Sequence, residues 1–305
     1  MTTQTIKSNN FSLASLDWRG LINLTKPTIT LLVVVTVVPG MMLAAGSLPN
    51  PWLLLAATFG TYLSSSSSAV FNHILDSDLD VIMKRTKSRP VVTGKIPSSV
   101  ALVFGLVLGV LSLVILYVFT TPLAAAVSLA ANIFYAAIYT LTLKRHTVQN
   151  IVIGGAAGAV GPLIGWAAVT GTSIGWPAGV LFLIVFLWTP PHFWALAIKY
   201  KDDYAQAGIP MMPCVKGLET TRKQMFLYTL TLIPAITALY WGGVAGAIYF
   251  ITSMAATLYF IWVAFKLYRT KDDKYAMPVF HYSCLYLFII FGSLAIDRLV
   301  QFLGN

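Results

Sequence analysis

Long apolar segments recur along the whole chain, separated by shorter polar segments. Each is close to the roughly 20 residues that an α-helix needs to cross the hydrocarbon of a bilayer. The pattern predicts nine membrane-spanning helices at residues 28–46, 51–71, 98–119, 122–143, 150–170, 176–198, 225–243, 246–267 and 279–303. No intervening stretch is long enough for a separate soluble domain. We therefore expect residues 1–305 to form a single all-α integral membrane domain.

Composition agrees with a membrane protein. Hydrophobic residues make up 57% of the chain, charged residues only 10%, and the mean hydropathy is +0.78. The first twenty residues lack the apolar core of a signal peptide, so we expect residues 1–20 to be an N-terminal cytoplasmic tail and the first span to be retained. Cys214 and Cys284 have neither a close partner nor metal-ligand spacing, and no disulfide is predicted.

Charge is distributed unevenly between the two sides of the predicted bundle. The connections after spans one, three, five and seven are short and neutral, whereas the other four are predicted to be long and charged. Nineteen of the twenty Lys and Arg residues fall on the charged side, and Arg298 is the exception. The positive-inside rule places the N-terminus in the cytoplasm and the C-terminus outside. Topology and contact with anionic lipid thus explain the net charge of +10, and nucleic-acid binding is not expected.

Acidic residues are few and clustered at the cytoplasmic ends of two spans. Asp76, Asp78 and Asp80 follow span two, and Asp202-Asp203 follow span six. Each carboxylate would cost about 2.5–3.5 kcal/mol at bilayer depth, so these groups must lie in a polar cavity or at its mouth. If the helix of span two continues, Asn72, Asp76 and Asp80 share one face and Asp78 points away.

The residues around this face suit a metal and a phosphate group. Mg²⁺ prefers oxygen ligands and takes one or two carboxylates together with substrate phosphate oxygens. Arg85 and Arg89 follow directly and could bind phosphate through bidentate hydrogen bonds. An EF-hand is excluded, because Val81 stands where its loop needs Gly and Lys87 where it needs Glu. A solvated acidic loop paired with nearby lysines is the simpler alternative.

An ordered series of motifs resembles the UbiA superfamily of intramembrane prenyltransferases, and within it the branch that farnesylates haem b. The series runs nearly end to end: Thr25-Lys26-Pro27, Asn72-x3-Asp76-x3-Asp80, Arg85-Thr86-x-x-Arg89-Pro90, Tyr139-Thr140, Leu143-Lys144-Arg145, Asn150-Ile151-Val152-Ile153-Gly154-Gly155, Pro191-His192-Phe193-Trp194, Asp203-Tyr204-x-x-Ala207-Gly208-Ile209-Pro210 and Met211-Met212-Pro213.

The resemblance implies a nine-helix bundle with a central cavity open to the cytoplasmic side. It implies Mg²⁺-dependent transfer from farnesyl diphosphate to haem b in a bacterial inner membrane, with a haem A synthase as a possible downstream partner. The implied catalytic residues are Asn72, Asp76, Asp80, Arg85, Arg89, Lys144, Lys199, Asp202 and Asp203. The implied metal ligands among them are Asn72, Asp76, Asp80 and Asp203. The implied haem contacts are His192, Trp194 and Tyr204.

One departure from the superfamily pattern concerns the second acidic motif. Carboxylates four residues apart are usual there, but Gln206 and Ala207 stand four residues beyond Asp202 and Asp203. We therefore expect Asp202 or Asp203 to act with Lys199 or through water, rather than in a full second metal site.

Two other functions are compatible with parts of this pattern. A UbiA-type enzyme acting on an aromatic quinone precursor would keep the first acidic face, but not the motifs at Pro191-His192 and Asp203-Tyr204. A transporter would also carry charges at membrane depth, although its site is expected near the midplane. Small residues at Ser64–Ser68, Gly154-x3-Gly158 and Gly161-x3-Gly165 predict close helix packing.

Overall fold

The computed structural model describes residues 17–304, and every regular element in that range is helical. Nine long helical units follow one another: α1 Pro27–Ala45, α2 Pro51–Leu75, α3 Ser98–Phe119, α4 Pro122–His146, α5 Asn150–Thr170, α6 Trp176–Lys199, α7 Gly217–Trp241, α8 Ala247–Thr270 and α9 Asp273–Gly304. Short helices occupy Trp18–Leu24, Ser77–Asp80, Lys201–Gln206 and Met212–Val215. The predicted fold class is confirmed. Most of the predicted N-terminal tail, residues 1–16, lies outside the described residues.

Eight of the nine units are long and apolar enough to cross a membrane. The exception is α2, which has 25 residues but carries Ser64–Ser68, Asn72 and His73 in its second half. Length therefore supports nine spans, whereas hydropathy supports eight. The helices extend beyond several predicted segments, because hydropathy marks only the apolar part of a helix that continues into polar surroundings.

The predicted alternation of connections is correct only in part. The connections after α1, α3, α5 and α7 are short and uncharged, and the long charged ones follow α2 and α6, at residues 76–97 and 200–216. The long connections predicted after spans four and eight are wrong. Helix α4 continues through Lys144–His146, so only residues 147–149 remain before α5, and residues 271–272 alone separate α8 from α9.

Local sequence explains where two of the helices begin. Asn50 precedes α2, and its Oδ1 accepts hydrogen bonds from the backbone N–H groups of Trp52 at 2.9 Å and Leu53 at 3.4 Å. Thr121 caps α4 in the same way, accepting from the Ala124 N–H at 3.1 Å. A proline occupies the first turn of each helix, where its missing N–H costs nothing.

Glycines allow α1 to approach the second half of α5 closely. A Cβ on Gly161 would lie 2.0 Å from Thr36 Oγ1, and one on Gly165 would lie 2.2 Å from the Val37 carbonyl oxygen. The predicted close packing at Gly161-x3-Gly165 is confirmed. In the other motif, Gly154 packs against a tyrosine ring, whereas Gly158 has no atom within 4 Å of a built Cβ and faces an internal cavity.

The middle of α4 departs from α-helical geometry. Residues Phe134–Leu143 form a π-helix, whose wider turns change the direction of the side chains that follow. The Tyr139 ring packs on Gly154, where a Cβ would be only 2.1 Å from it. At the end of the same helix, Lys144 reaches α2.

The end of the bundle where α2 and α6 finish is called the carboxylate end, because Asp76 and Asp203 lie there. At the far end, where α8 begins, Asp297 of α9 is 2% exposed. Its Oδ2 accepts hydrogen bonds from the Gly246 N–H at 2.6 Å and Gln301 Nε2 at 2.8 Å, and its Oδ1 accepts from the Tyr249 N–H at 3.3 Å. Asp297 thus caps α8.

Candidate active site at the carboxylate end

The first acidic motif lies where α2 ends. Helix α2 stops at Leu75, and Asp76 has φ −94° and ψ 2° before the short helix Ser77–Asp80 begins. The helix of the second span therefore does not continue through the motif. Asn72, Asp76 and Asp80 are nevertheless all buried, each 4% exposed or less. Asp78 points away, and Arg145 donates to both of its oxygens at 2.7 and 2.8 Å. This ion pair lowers the pKa of Asp78.

Three helices meet at Asn72 and Asp76. The Asn72 amide donates to Asp76 Oδ2 at 2.6 Å, and Lys144 of α4 donates to the same oxygen at 2.5 Å. Lys26, which precedes α1, donates to Asn72 Oδ1 at 2.6 Å. Thr140 Oγ1 lies 3.3 Å from the Asn72 amide nitrogen. Two cations and a carboxylate thus share one buried network.

Asp80 and Asp203 complete the acidic part of the site. Asp80 forms an ion pair with Arg89, and its backbone carbonyl accepts from Thr86 Oγ1 at 3.3 Å. Asp203, 8% exposed, accepts a hydrogen bond from the backbone N–H of Arg85 at 3.2 Å. The second acidic motif is therefore joined to the basic segment that follows the first, although 118 residues separate the contacting groups.

Two predicted residues, Asp202 and Lys199, stand apart from this network. Both are exposed. We expected Asp202 or Asp203 to act with Lys199 or through water; within residues 17–304 neither forms an ion pair with Lys199, and Asp203 bonds the backbone of Arg85. Lys199 Nζ lies 5.5 Å from the centroid of the Tyr200 ring, and the Arg85 guanidinium lies 5.6 Å from the same ring. One aromatic ring thus holds two cations near the mouth of the site.

The side-chain donors at this site determine whether a metal ion fits. Among residues 17–304, no group of three or more His, Cys, Asp and Glu side chains is placed to hold an ion by itself. However, Asp76 Oδ1 is buried and has no hydrogen-bond partner there. An unpaired buried carboxylate oxygen is costly unless a ligand satisfies it. With Asp80 nearby, the residues fit a Mg²⁺ ion that takes its remaining ligands from water and phosphate.

The three predicted haem contacts, His192, Trp194 and Tyr204, have different neighbours. His192 stacks between Trp188 and Phe280, with ring centroids 4.3 and 4.7 Å away, and its Nδ1 lies 2.6 Å from Ser283 Oγ. Trp194 is 1% exposed and meets Tyr228 edge to face. Tyr204 is 2% exposed, and burial raises the pKa of its hydroxyl. Neither the Trp194 Nε1 nor the Tyr204 hydroxyl has a partner within the described range.

A central cavity extends from Lys26 into the bundle between α1, α2, α4 and α5. Its volume is about 120 Å³. Its walls include Ser64 and Ser68 of α2, Asn132 and Tyr135 of α4, and aliphatic side chains of α1 and α5. The predicted central cavity is therefore present, and it begins beside the acidic network.

Residues 33–291 match the UbiA prenyltransferase family. The chain belongs to this family. It is 45% identical over 280 residues to the "Protoheme IX farnesyltransferase" of Gloeobacter violaceus, covering 92% of each chain. It is also 45% identical to the protein of the same name from Deinococcus radiodurans, covering 93% of this chain and 94% of the relative.

Solved structures share the fold. A digeranylgeranylglyceryl phosphate synthase superposes with a TM-score of 0.76 at 17% identity, covering 92% of this chain and 98% of its own. A UbiA homologue from Archaeoglobus fulgidus, bound to DMAPP and Mg²⁺, superposes with a TM-score of 0.65 at 15% identity, covering 91% and 99%. The protein is thus an integral membrane prenyltransferase with the UbiA fold.

The sequence pattern did not indicate that Lys26 belongs to the buried network with Asn72. It appeared only as part of a matching motif, Thr25-Lys26-Pro27, before the first span. Its backbone has φ 47°, one of two positive φ values at non-glycine residues within 17–304. This left-handed conformation aims the side chain at Asn72. Burial, together with the charges of Arg89 and Lys144, lowers the pKa of Lys26 to about 7. A bound anion would offset this crowding of positive charge.

Proposed function

We propose that this protein transfers the farnesyl group of farnesyl diphosphate to a vinyl group of haem b, giving haem O and diphosphate. The relatives that share 45% of its sequence over nearly their whole length support the acceptor and the donor. The observation that carries the proposal is a buried network at the head of an intramembrane cavity, in which Lys144 and Arg89 pair with carboxylates and Lys26 donates to the amide oxygen of Asn72. This arrangement suits an anionic head group with an apolar chain.

We propose that Asn72, Asp76 and Asp80 hold Mg²⁺ when substrate is present, and that Asp203 assists. Asp76 Oδ1, which has no hydrogen-bond partner within residues 17–304, would be the first ligand. Asn72 Oδ1 would be available once Lys26 paired with a phosphate oxygen instead, and Asp203 would still have one oxygen free beside its bond to the Arg85 N–H. When bound, the ion would neutralise charge on the diphosphate and make it a better leaving group.

Cationic side chains stabilise the charge that develops as the allylic carbon–oxygen bond breaks. The electron pair of that bond passes to diphosphate, which Lys26, Lys144 and Arg89 contact, while Arg85 extends the positive surface to the mouth. The vinyl group then attacks the farnesyl carbon. Water adds to the resulting porphyrin-side cation, and its proton passes to diphosphate. The apolar walls of the cavity protect the farnesyl cation from water before the vinyl group reacts.

His192, Trp194 and Tyr204 are proposed to contact haem b. His192 Nδ1 is engaged with Ser283 Oγ, which leaves Nε2 as the nitrogen that could bind iron. If this is correct, His192→Ala changes the absorption spectrum of bound haem without changing the affinity for farnesyl diphosphate. An unchanged spectrum at saturating haem would contradict the iron contact.

The orientation of the protein follows from the distribution of charge. We propose that the carboxylate end faces the cytoplasm of a bacterial cell, with the C-terminus outside, because the basic residues concentrate at that end. Both proposed substrates would then enter from the cytoplasm or the inner leaflet. A haem A synthase in the same inner membrane is the proposed recipient of the product.

The test is mass spectrometry of porphyrins after incubation of the reconstituted protein with haem b, farnesyl diphosphate and Mg²⁺. Formation of hydroxyethylfarnesyl haem supports the proposal. If haem b returns unchanged while an aromatic acceptor is prenylated, the acceptor is wrong although the family chemistry stands. If neither acceptor reacts, the assignment to this activity fails.

A further inference from the structure

The central cavity runs along the same face of α2 that carries the acidic network. Ser68, Ser64 and Asn72 are spaced four residues apart and share that face, and Thr61 lies one turn farther. A helix rises 1.5 Å per residue, so Ser64 lies roughly 12 Å and Thr61 roughly 16 Å along the axis from Asn72. A chain attached to a diphosphate at Asn72 would extend past these residues in order.

Hydroxyl groups on this wall are turned back to the helix. Ser68 Oγ donates to the Ser64 carbonyl at 3.1 Å, and Thr61 Oγ1 donates to the Ala57 carbonyl at 2.7 Å. Their carbon atoms therefore face the cavity. Val33 of α1 and Ile164 of α5 line the other side. Ser68 and Thr61, whose hydroxyls are satisfied, thus join the aliphatic side chains in a narrow and mainly apolar channel.

A second groove, of about 250 Å³, lies between α2, α3 and α4. Leu106, Val110 and Ile133 line it and are 52%, 58% and 53% exposed, so it opens to lipid. Ser64, Ser128 and Asn132 line both spaces. They form the partition between the channel and the lipid-facing groove.

The partition is held weakly. Asn132 Nδ2 donates to the Ser64 carbonyl at 3.0 Å, and Ser64 Oγ approaches the Ser128 carbonyl only at 3.5 Å. Ser128 is 2% exposed, and its Oγ has no hydrogen-bond partner among the described residues. Ser128 therefore contributes no side-chain hydrogen bond that would tie the partition together.

We propose that Thr61 and Ser64 set the longest isoprenoid chain that this enzyme accepts, and that Asn132 and Ser128 separate the end of that chain from the lipid. The inference rests on the proposed function. The diphosphate stays at the acidic network, the chain follows Ser68 and Ser64, and Thr61 with Ile164 stops it. A longer chain gains room beyond Thr61 and Ile164 when the partition opens into the lipid-facing groove.

The experiment offers haem b with an equimolar mixture of geranyl, farnesyl and geranylgeranyl diphosphates and measures the three haem products by mass spectrometry. Ser64→Leu should raise the ratio of geranyl to farnesyl product by about tenfold or more, because added methyl groups fill the channel. Thr61→Ala and Asn132→Ala should each raise the share of geranylgeranyl product. Thr58→Leu is the matched control, since Thr58 lies on α2 but lines neither space, and its product ratios should equal those of the wild type.

The outcomes distinguish failure of the chain-length inference from failure of the proposed function. If the wild type prenylates haem and all variants keep its product ratios, the chain-length inference is overturned while the proposed function stands. The two enlarging substitutions test the inference even if Ser64→Leu fails to fold. If the wild type prenylates no haem with any of the three donors, the proposed function itself fails. A change in Thr58→Leu as large as that in Ser64→Leu would also overturn the inference.

Discussion

Two buried aspartates at opposite ends of the bundle have opposite surroundings. Asp76 and Asp297 are 1% and 2% exposed. Asp297 receives hydrogen bonds from two backbone N–H groups and a glutamine, so both of its oxygens are satisfied within the protein. Asp76 shares one oxygen between Asn72 and Lys144, and its other oxygen has no partner within residues 17–304. Burial alone therefore does not distinguish a carboxylate whose hydrogen bonds are complete from one with an oxygen left for a ligand.

Basic residues at the two ends of the bundle also differ in whether their contacts are complete. At the far end, Arg298 donates to the Gly46 carbonyl at 3.1 Å and to Gln301 at 2.8 Å, which fastens α9 to the end of α1. At the carboxylate end, Lys26 holds a strained backbone conformation and has its pKa lowered to about 7. Saturated contacts stabilise the fold. The positive charges of Lys26, Arg89 and Lys144 repel one another, and a bound anion would reduce this repulsion.

Removal of divalent metal should reduce activity more than any substitution, and it should affect only the carboxylate end. Chelation with EDTA is expected to abolish prenyl transfer, and added Mg²⁺ should restore it, because diphosphate would otherwise leave without charge neutralisation. The unfolding temperature of the substrate-free protein should change little, since the far end needs no ion. Full activity in excess chelator, measured by product mass spectrometry, would contradict the metal assignment.

Asp76→Asn tests the aspartate at the carboxylate end, because it removes the negative charge and keeps the size of the side chain. We expect kcat/KM for farnesyl diphosphate to fall by about a hundredfold or more, as when a group that stabilises transition-state charge is lost. Thermal unfolding should remain near that of the wild type. A variant with normal kinetics would place the metal elsewhere.

Arg89→Lys probes the geometry of the diphosphate contact. Lysine keeps the charge beside Asp80 but loses the planar fork of the guanidinium. We expect KM for farnesyl diphosphate to rise by about tenfold. Titration with a non-hydrolysable analogue should show the same loss of affinity, and equal affinities would argue against bidentate binding.

Asp297→Ala tests whether the aspartate at the far end serves only to stabilise the fold. It leaves the backbone donors of Gly246 and Tyr249 without their partner, which should lower the free energy of unfolding by about 1–3 kcal/mol. The folded fraction should retain the kcat of the wild type. Chemical unfolding followed by tryptophan fluorescence measures the first quantity, and a large fall in kcat without destabilisation would contradict a purely structural role.

Asp78→Asn should have the smallest effect. Asp78 is exposed, and water screens its pair with Arg145, so the loss of stability should stay below about 1 kcal/mol. Arg145 lowers the pKa of Asp78, so the pair contributes above the usual aspartate pKa and is lost as pH falls through the lowered value. Activity should remain within about twofold of the wild type. A severe loss of activity would indicate that Asp78 takes part in the reaction.

Much of the site could be predicted because its residues share a local pattern. Asn72, Asp76 and Asp80 follow an apolar helix at regular spacing, and the structure buries all three. Arg89 and Lys144 were also placed correctly beside the acidic face. Lys26 could have been found, because it lies at the same end of the bundle and within a recognised motif. The contact of Asp203 with a backbone N–H could not, since no residue type indicates it.

Residue types and their spacing within one segment were enough to predict the apolar spans, the uneven distribution of charge and the acidic motif. The interruption of α2 at Asp76, the π-helical part of α4 that precedes Lys144, and the capping of α8 by Asp297 became evident only from the folded bundle. Those features depend on contacts between groups 68 and 51 residues apart, such as Lys144 with Asp76 and Asp297 with Gly246. Such contacts form only when helices pack, so the partner of a buried polar group is a property of the bundle.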